Sequence, residues 1–451
     1  MKTNRRNFIR KTALSTAGIV LASPAFSAAS YRKIIGANDR IRVGIIGYSD
    51  RFRSSLLPSF LALNKELNFE FTGLSDIWRL RREEGQAFLK EKTGTSIPIY
   101  PNNEALYEAK NTDAVIISTA DFQHALHLIE AVRAGRDAYV EKPFAETMED
   151  NRAALKAVRE TGKIVQVGSQ RRSGMNYKAA ADFVQSGKFG PVTMVELTWN
   201  VNQPGRWRRI EAVKRMQESD TDWKRYLLNR PFEPFNARKH LEFRLFWPYS
   251  SGLPGQWMSH QIDTVHWFTG LDHPRSVVAN GGVYWWKDGR ENWDTITAVF
   301  DYGPINDSKS GFQVTFASRM HNGDENPKEI YFSNGGEMNL NTNKVTGAGG
   351  LTEDFANAMQ MKSNILKEPD LGQVAKLEAA ANTGGDYLTT AHMRNWMECV
   401  RSRKQPNAPA EAGYSHSVAC IMTTAAVRSG SRAIFDPIKQ EILTDGKPFH
   451  L

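Results

Sequence analysis

The stretch Ile117-Ser-Thr-Ala-Asp-Phe-Gln-His124, continued by Ala131-Val-Arg-Ala-Gly135-Arg-Asp-Ala-Tyr-Val-Glu-Lys-Pro143, decides the fold. Two short apolar runs, residues 114–117 and 138–140, flank a segment of helical periodicity at 121–134. Strand, helix and strand at this spacing form a parallel crossover unit. The second run ends in Glu141-Lys142-Pro143. Pro143 biases Lys142 toward extended backbone, which aims its ammonium across the carboxyl edge of the sheet. Open α/β sheets bind their ligands at that edge. A lone lysine there would be a solvated strand end, so its meaning depends on what surrounds it.

Outward from this unit, the segment from about 40 to 168 alternates further strands (41–46, 69–74, 164–167) with helical patterns such as 147–161. Strand and helix in alternation predict a doubly wound parallel sheet. Beyond residue 190 the runs lengthen and become rich in β-branched and aromatic residues: 192–201, 276–286, 294–302, 311–317, 328–333 and 337–340. Asn334-Gly335-Gly336 is a hairpin turn signal. These runs predict a large, mostly antiparallel open sheet with one face on helices. Residues 341–387, polar and rich in Gly and Asn, read as a long loop or insertion, and helices at 389–402 and 415–429 close the chain. A chain of 451 residues exceeds one ordinary core. The expected division is 38–172 for the nucleotide-binding domain and 173–451 for substrate binding and oligomerisation.

Residues 1–30 read as an export signal. Asn4-Arg5-Arg6-Asn7-Phe8 resembles a twin-arginine motif, the apolar run at 13–22 is too short to span a bilayer, and small residues near Ala25–Ala29 suit a peptidase. The expected location is the periplasm or another exported compartment, without stable membrane association. Twin-arginine export carries folded proteins, which implies a cofactor captured and held tightly beforehand. The leader holds five basic residues and no acid, and without it the formal charge of +9 falls to +4. That balance does not call for nucleic acid. Cys399 and Cys420 are compatible with either a bridge or two buried thiols. No histidine shows metal-ligand spacing with its neighbours, so no metal is expected.

The first strand runs into Gly44-Ile-Ile-Gly47-Tyr48-Ser49-Asp-Arg-Phe52. Gly47 suits the tight turn of a dinucleotide site, while Ser49 and Phe52 stand where its second and third glycines belong. Asp76 follows the second strand, 29 residues after Gly47. A carboxylate there accepts ribose hydroxyls and repels a 2′-phosphate, favouring NAD, while Arg79 and Arg81 leave NADP open. Trp78 either packs on the adenine or covers the sheet edge.

With Gly47, Asp76, the segment from Thr119 to His124 and Glu141-Lys142-Pro143 in this order, the chain resembles the Gfo/Idh/MocA oxidoreductases, the group of glucose–fructose oxidoreductase and inositol dehydrogenase. Gly168-Ser-Gln170-Arg171-Arg172, Asp222-Trp223-Lys-Arg-Tyr-Leu, Tyr249-Ser-Ser-Gly252, His260-Gln-Ile-Asp263, the run from Asn395 to Lys404 and Glu411-Ala-Gly413 continue the likeness. The resemblance implies a Rossmann domain joined to an α/β domain whose open sheet pairs subunits, as a homodimer or homotetramer. It implies that Gly47, Tyr48, Ser49, Asp76, Trp78, Thr119, His124, Glu141, Lys142 and Gln170 hold the dinucleotide. It also places Lys142 and His260 at the reacting carbon. Gln256, His260, Asp263 and Trp267 share helical spacing, so Asp263 could set the tautomer of His260. Dehydrogenases of the family commonly carry Asp four residues before the histidine. Gln256 stands there instead, and an amide cannot take a proton.

Nine of the eleven tryptophans lie between Trp199 and Trp293. Aromatic faces with charged neighbours suit sugars, so a carbohydrate or cyclitol is the expected substrate. Arg171, Arg244, Trp247, Gln256 and Asp263 are its candidate contacts, and the arginines leave room for an acidic sugar. Three activities remain open: sugar oxidation by hydride transfer, redox-neutral glycoside cleavage through a transient ketone, and carbohydrate binding without catalysis. In the first, His260 handles the hydroxyl proton while Lys142 polarises the oxygen or helps to deprotonate it.

Overall fold

A computed structural model describes residues 39–304, 307, 309–324, 327–367, 371 and 386–450. The expected leader, residues 1–30, lies outside them. Six strands form a fully parallel sheet: β1 (Ile41–Ile46), β2 (Phe69–Ser75), β3 (Ile99–Tyr100), β4 (Ala114–Ile117), β5 (Asp137–Val140) and β6 (Val165–Val167). Their spatial order is β3-β2-β1-β4-β5-β6. β4 and β5 are buried along their whole length, as strands covered on both faces must be. The helix His124–Arg133 crosses between them, and Met148–Thr161 follows β5 with Thr147 capping the Asp150 N–H at 3.0 Å.

Ten strands form the second sheet: β7 (Val192–Thr198), β8 (Ser276–Gly282), β9 (Thr295–Tyr302), β10 (Phe312–Arg319), β11 (Lys328–Ser333), β12 (Gly336–Asn339), β13 (Lys344–Thr346), β14 (Ala433–Asp436), β15 (Glu441–Thr444) and β16 (Lys447–Pro448). Its order is β13-β12-β11-β7-β10-β9-β8-β14-β15-β16, antiparallel except for β7 beside β10. Burial alternates along β9 and β10, the signature of a half-covered sheet. Val277, Ala298, Phe300, Val314 and Phe316 form one core with Ile262 and Phe268 of helix Ser259–Thr269 and Val418 and Met422 of helix Ala410–Ser429.

Three sequence expectations are corrected. The chain closes on the short strands β14–β16 rather than on helices; strands of two to four residues are too short to show a period. The segment expected as a long loop or insertion contains β13 and the helix Glu353–Ala358, and its residues 368–370 and 372–385 lie outside the described ones. β8 stops at Gly282 because the N–H groups of Tyr284, Trp285 and Trp286 turn onto the Asp294 carboxylate, at 3.0, 2.8 and 2.8 Å. Cys399 and Cys420 are two buried free thiols. Among the described residues no helix is long and apolar enough to cross a membrane.

The helix Tyr387–Ser402 returns to the parallel sheet. Met393, Trp396, Met397 and Val400 join Val43, Phe60, Phe69 and Phe71 in one core, with the Trp396 ring 6.2 Å from Phe69 and 6.0 Å from Tyr139. The Val167 N–H donates to the Ala408 carbonyl at 2.8 Å, so this late segment also seals the β6 edge.

Candidate functional site

β1 lies between β2 and β4, the point where strand order reverses. Register sets Ile46 beside Ile117 and Ile117 beside Val140, so Gly47, Ser118 and Glu141 leave the sheet side by side. A cavity of about 980 Å³ covers this edge and extends to Trp199, Trp207, Trp257 and His260. Every expected dinucleotide residue lines it, as do Arg171, Arg244, Gln256 and His260.

Gly47 adopts φ +83°, and a Cβ there would stand 2.7 Å from the Thr119 side chain, so only glycine fits. Ser49 substitutes for a glycine by accepting the Phe52 N–H on its hydroxyl at 3.1 Å. Phe52 is fully buried, 5.8 Å from Phe71, and opens a π-turn over Phe52–Leu56. The helix therefore stands on an aromatic layer rather than close against the strand. Asp76 accepts the Tyr48 N–H on one oxygen and the Trp78 N–H on the other, both at 2.9 Å. Each oxygen keeps a second acceptor position for a ribose hydroxyl. Burial pushes the Asp76 carboxyl up, and those two N–H groups oppose the shift. The buried Trp78 Nε1 and Thr119 hydroxyl have no protein partner, which suits a polar ligand in this cleft.

The arginines that left NADP open are occupied. Arg81 pairs with Asp50 at 2.5 Å and Glu84 at 3.0 Å, and Arg79 with Glu83 at 3.3 Å and Asp220 at 3.1 Å. Both arginines are thus already held by carboxylates, and with the Asp76 carboxylate at the same edge the site fits NAD. Tyr48 contributes its N–H, its ring packing near Phe52 and Phe88. His124 lies between two carbonyls, Pro143 at 2.8 Å and Thr119 at 3.2 Å; burial holds the ring below the ordinary histidine range, so its single N–H donates to one of them. Gln170 donates to Glu141 at 3.3 Å and to the Tyr139 hydroxyl at 3.2 Å.

The Lys142–Pro143 bond is cis. The Lys142 ammonium donates to the Gln256 backbone carbonyl at 2.7 Å and its side-chain carbonyl at 3.4 Å. Burial pulls Lys142 down to about 8; the Asp121 charge opposes this and Arg244 reinforces it. Asp121 went unnoticed in the sequence, although it stands just past β4 where a carboxylate meets the ligand edge. It accepts from the Ser250 hydroxyl and the Gln256 side-chain amide, both at 2.6 Å, and lies 3.4 Å from Arg244. The carboxylate thus sits one residue behind the amide. Burial, then the charges of Lys142, Arg171 and Arg51, hold His260 well below the ordinary histidine range, so its ring is neutral. Arg51, paired with Glu141 at 2.9 Å across ninety positions of sequence, had no local signal.

Two expected contacts do not reach the cavity. Asp263 is 1% exposed and pairs with Arg172 at 2.8 Å, so it cannot orient His260. Gln256, in the π-turn Pro254–Met258, and His260, in the helix Ser259–Thr269, line the cavity, whereas Asp263 and Trp267 further along that helix both meet Arg172. Trp247 packs instead under Arg428, whose guanidinium lies 4.0 Å from its ring centre. Among the described residues no cluster of His, Cys, Asp and Glu could hold a metal ion.

Residues 41–169 match the model of an oxidoreductase family with an NAD-binding Rossmann fold. The match, to the Gfo/Idh/MocA oxidoreductases, takes in the six strands of the parallel sheet. It is 28% identical over 201 residues to the 1,5-anhydro-D-fructose reductase of Ensifer adhaerens, covering 42% of this chain and 56% of that protein. It is 26% identical over 239 residues to a glycosyl hydrolase family 109 protein of Shewanella baltica (strain OS185), covering 47% and 51%. The chain thus spans about half the length of the curated relatives it matches. Among solved structures it resembles the WlbA dehydrogenase from Bordetella pertussis in complex with NADH and UDP-GlcNAcA, with TM-score 0.63, 17% identity and coverage of 88% and 98%. Levoglucosan dehydrogenase in complex with NADH and levoglucosan gives TM-score 0.63 at 14% identity, covering 87% and 98%. These two share the fold.

Asp76→Ala is expected to weaken NAD binding by about 1.5–3 kcal/mol, the worth of hydrogen bonds to a charged group, and to narrow the preference over NADP. Calorimetric titration of both cofactors checks this. An unchanged preference would remove Asp76 from the ribose.

Proposed function

We propose that this protein is an NAD-dependent oxidoreductase acting at a carbinol carbon of a sugar or cyclitol. The carrying observation is the Lys142–Gln256 contact within the cavity that His260 also lines. A neutral amine has two N–H donors and one lone pair. Gln256 offers acceptors for both donors, so deprotonated Lys142 keeps its anchor and leaves the lone pair for a substrate hydroxyl. A carboxylate at 256 would hold the lysine charged, whereas the amide lets it discharge near neutral pH. His260, neutral among cations, is a poor proton acceptor and serves as the hydrogen-bond partner that orients the hydroxyl. The proton therefore goes to Lys142, one of the two acceptors that the sequence leaves open. When bound, NAD supplies the hydride acceptor.

The loop around residues 203–225 bridges to the parallel-sheet side through Arg209–Asp50, Arg79–Asp220 at 3.1 Å and Arg225–Glu104 at 2.5 Å. Arg209, Asp50, Arg225 and Glu104 line the cleft, and a retained cofactor, in a chain exported folded through the Arg5-Arg6 motif, is part of the proposal. The test is to add neutral and acidic sugars and cyclitols to the NAD-loaded protein and follow the absorbance of reduced nicotinamide. The initial rate is expected to rise with pH through about 8, as Lys142 loses its proton. A flat profile would remove Lys142 as the base. The likeness to glycosyl hydrolase family 109 proteins favours a second reading, redox-neutral glycoside cleavage. Aglycone release without net cofactor reduction would select it.

A further inference from the structure

Positive charge in the cavity wall is unevenly matched. Arg51 has Glu141, Arg171 has Glu329, and Arg244 has Asp121. Among the described residues the Arg206 side chain donates only to the neutral Gln203 side chain, and its Nε is buried without a partner. The Arg244 Nε is likewise buried and unpartnered. Burial and the nearby Arg244 both lower the Arg206 guanidinium below its ordinary value. A desolvated cation without a counterion is costly, and an anion beside it removes that cost.

Arg206 is also held in place. Its guanidinium lies 5.3 Å from the Trp257 ring centre and 6.0 Å from that of Trp207. Trp257 stacks on Trp199 at 6.0 Å and 11°, and Trp199 lies 5.8 Å from the His260 ring. One aromatic wall therefore runs from the unmatched cation to the histidine that orients the hydroxyl.

We propose, resting on the sugar-oxidoreductase reading above, that the substrate is an anionic sugar whose carboxylate or sulfate is bound by Arg206, with Arg244 beside it, and whose ring lies along the tryptophan wall toward His260. A planar guanidinium fork matches either anion with two parallel hydrogen bonds.

The experiment uses the full-length protein loaded with NAD, so that the dinucleotide end is filled. Methyl glucoside, galactoside and mannoside are compared by calorimetry with the matching uronides and 6-sulfates. At least one anionic member is expected to bind about tenfold or more tightly than its neutral partner at low salt, with the advantage shrinking as salt is added. Arg206→Gln is expected to abolish that ratio without changing NAD affinity, and Arg206→Lys to restore part of it. Whether uronide or sulfate wins names the anion. Neutral sugars binding as tightly as their anionic partners throughout, or a ratio intact in Arg206→Gln, would overturn the proposal alone. Binding of no sugar of either kind would overturn the sugar reading as well.

Discussion

Lys142→Met is expected to lower turnover by about 10²–10⁴, the usual worth of a positioned proton-transfer group, while leaving NAD binding largely intact. Methionine keeps the length of the stem but has neither the donors that engage Gln256 nor a lone pair basic enough for a hydroxyl. The loss should appear in kcat, and the rise of rate through about pH 8 should vanish with it. His260→Ala removes a neutral orienting partner, so its loss is expected to be smaller and shared between kcat and KM. Isotope exchange between the substrate carbon and bound cofactor must be followed alongside net product, because a redox-neutral cycle conceals its hydride. Near-normal exchange in Lys142→Met would refute the proposed proton path.

Arg172→Met is expected to destabilise the fold by about 3–5 kcal/mol, the cost of stranding one member of a buried ion pair. Asp263 is 1% exposed; burial alone would raise its carboxyl, yet Arg172, aided by His416 at 3.8 Å, brings it down to about 2. A depressed carboxylate contributes stability above its ordinary pKa of 3.8, and that stability is lost as pH falls through about 2. Without Arg172 the sign inverts: burial then raises the Asp263 pKa, so the variant should be least stable at neutral pH and partly recover in mild acid. Urea midpoints at the two pH values check this, and Asp263→Asn in the same background should restore much of the loss. Equal midpoints in variant and parent would show that the pair contributes nothing.

Alternating apolar runs made β1, β2, β4, β5 and β6 legible, because buried parallel strands write themselves as short continuous blocks. β3, only Ile99–Tyr100, is too short to leave such a block. The site was legible where a residue type is tied to a local position: Gly47 at its turn, Asp76 after β2, Lys142 before its proline. Spacing alone misplaces Asp263, because it says which residues share a helix and not which partner claims a side chain; Arg172, 91 positions away, claims this one. Arg51 and Arg206 were missed for a related reason. Their importance lies in what they do or do not pair with across long stretches of chain, and only the folded arrangement displays that.

During synthesis the nucleotide fold emerges unfinished. Trp396 follows Val167, the last residue of the parallel sheet, by 229 residues, yet it fills the core beside Phe69 and Tyr139. At about 5–20 residues per second, that apolar face stays without its covering helix for roughly ten to fifty seconds. The β6 edge, awaiting Ala408, is open over the same interval. Cofactor capture by a completed sheet therefore belongs after translation of the helix Tyr387–Ser402. A chain truncated before this helix should accumulate as an aggregation-prone intermediate even though every strand of its nucleotide fold is present.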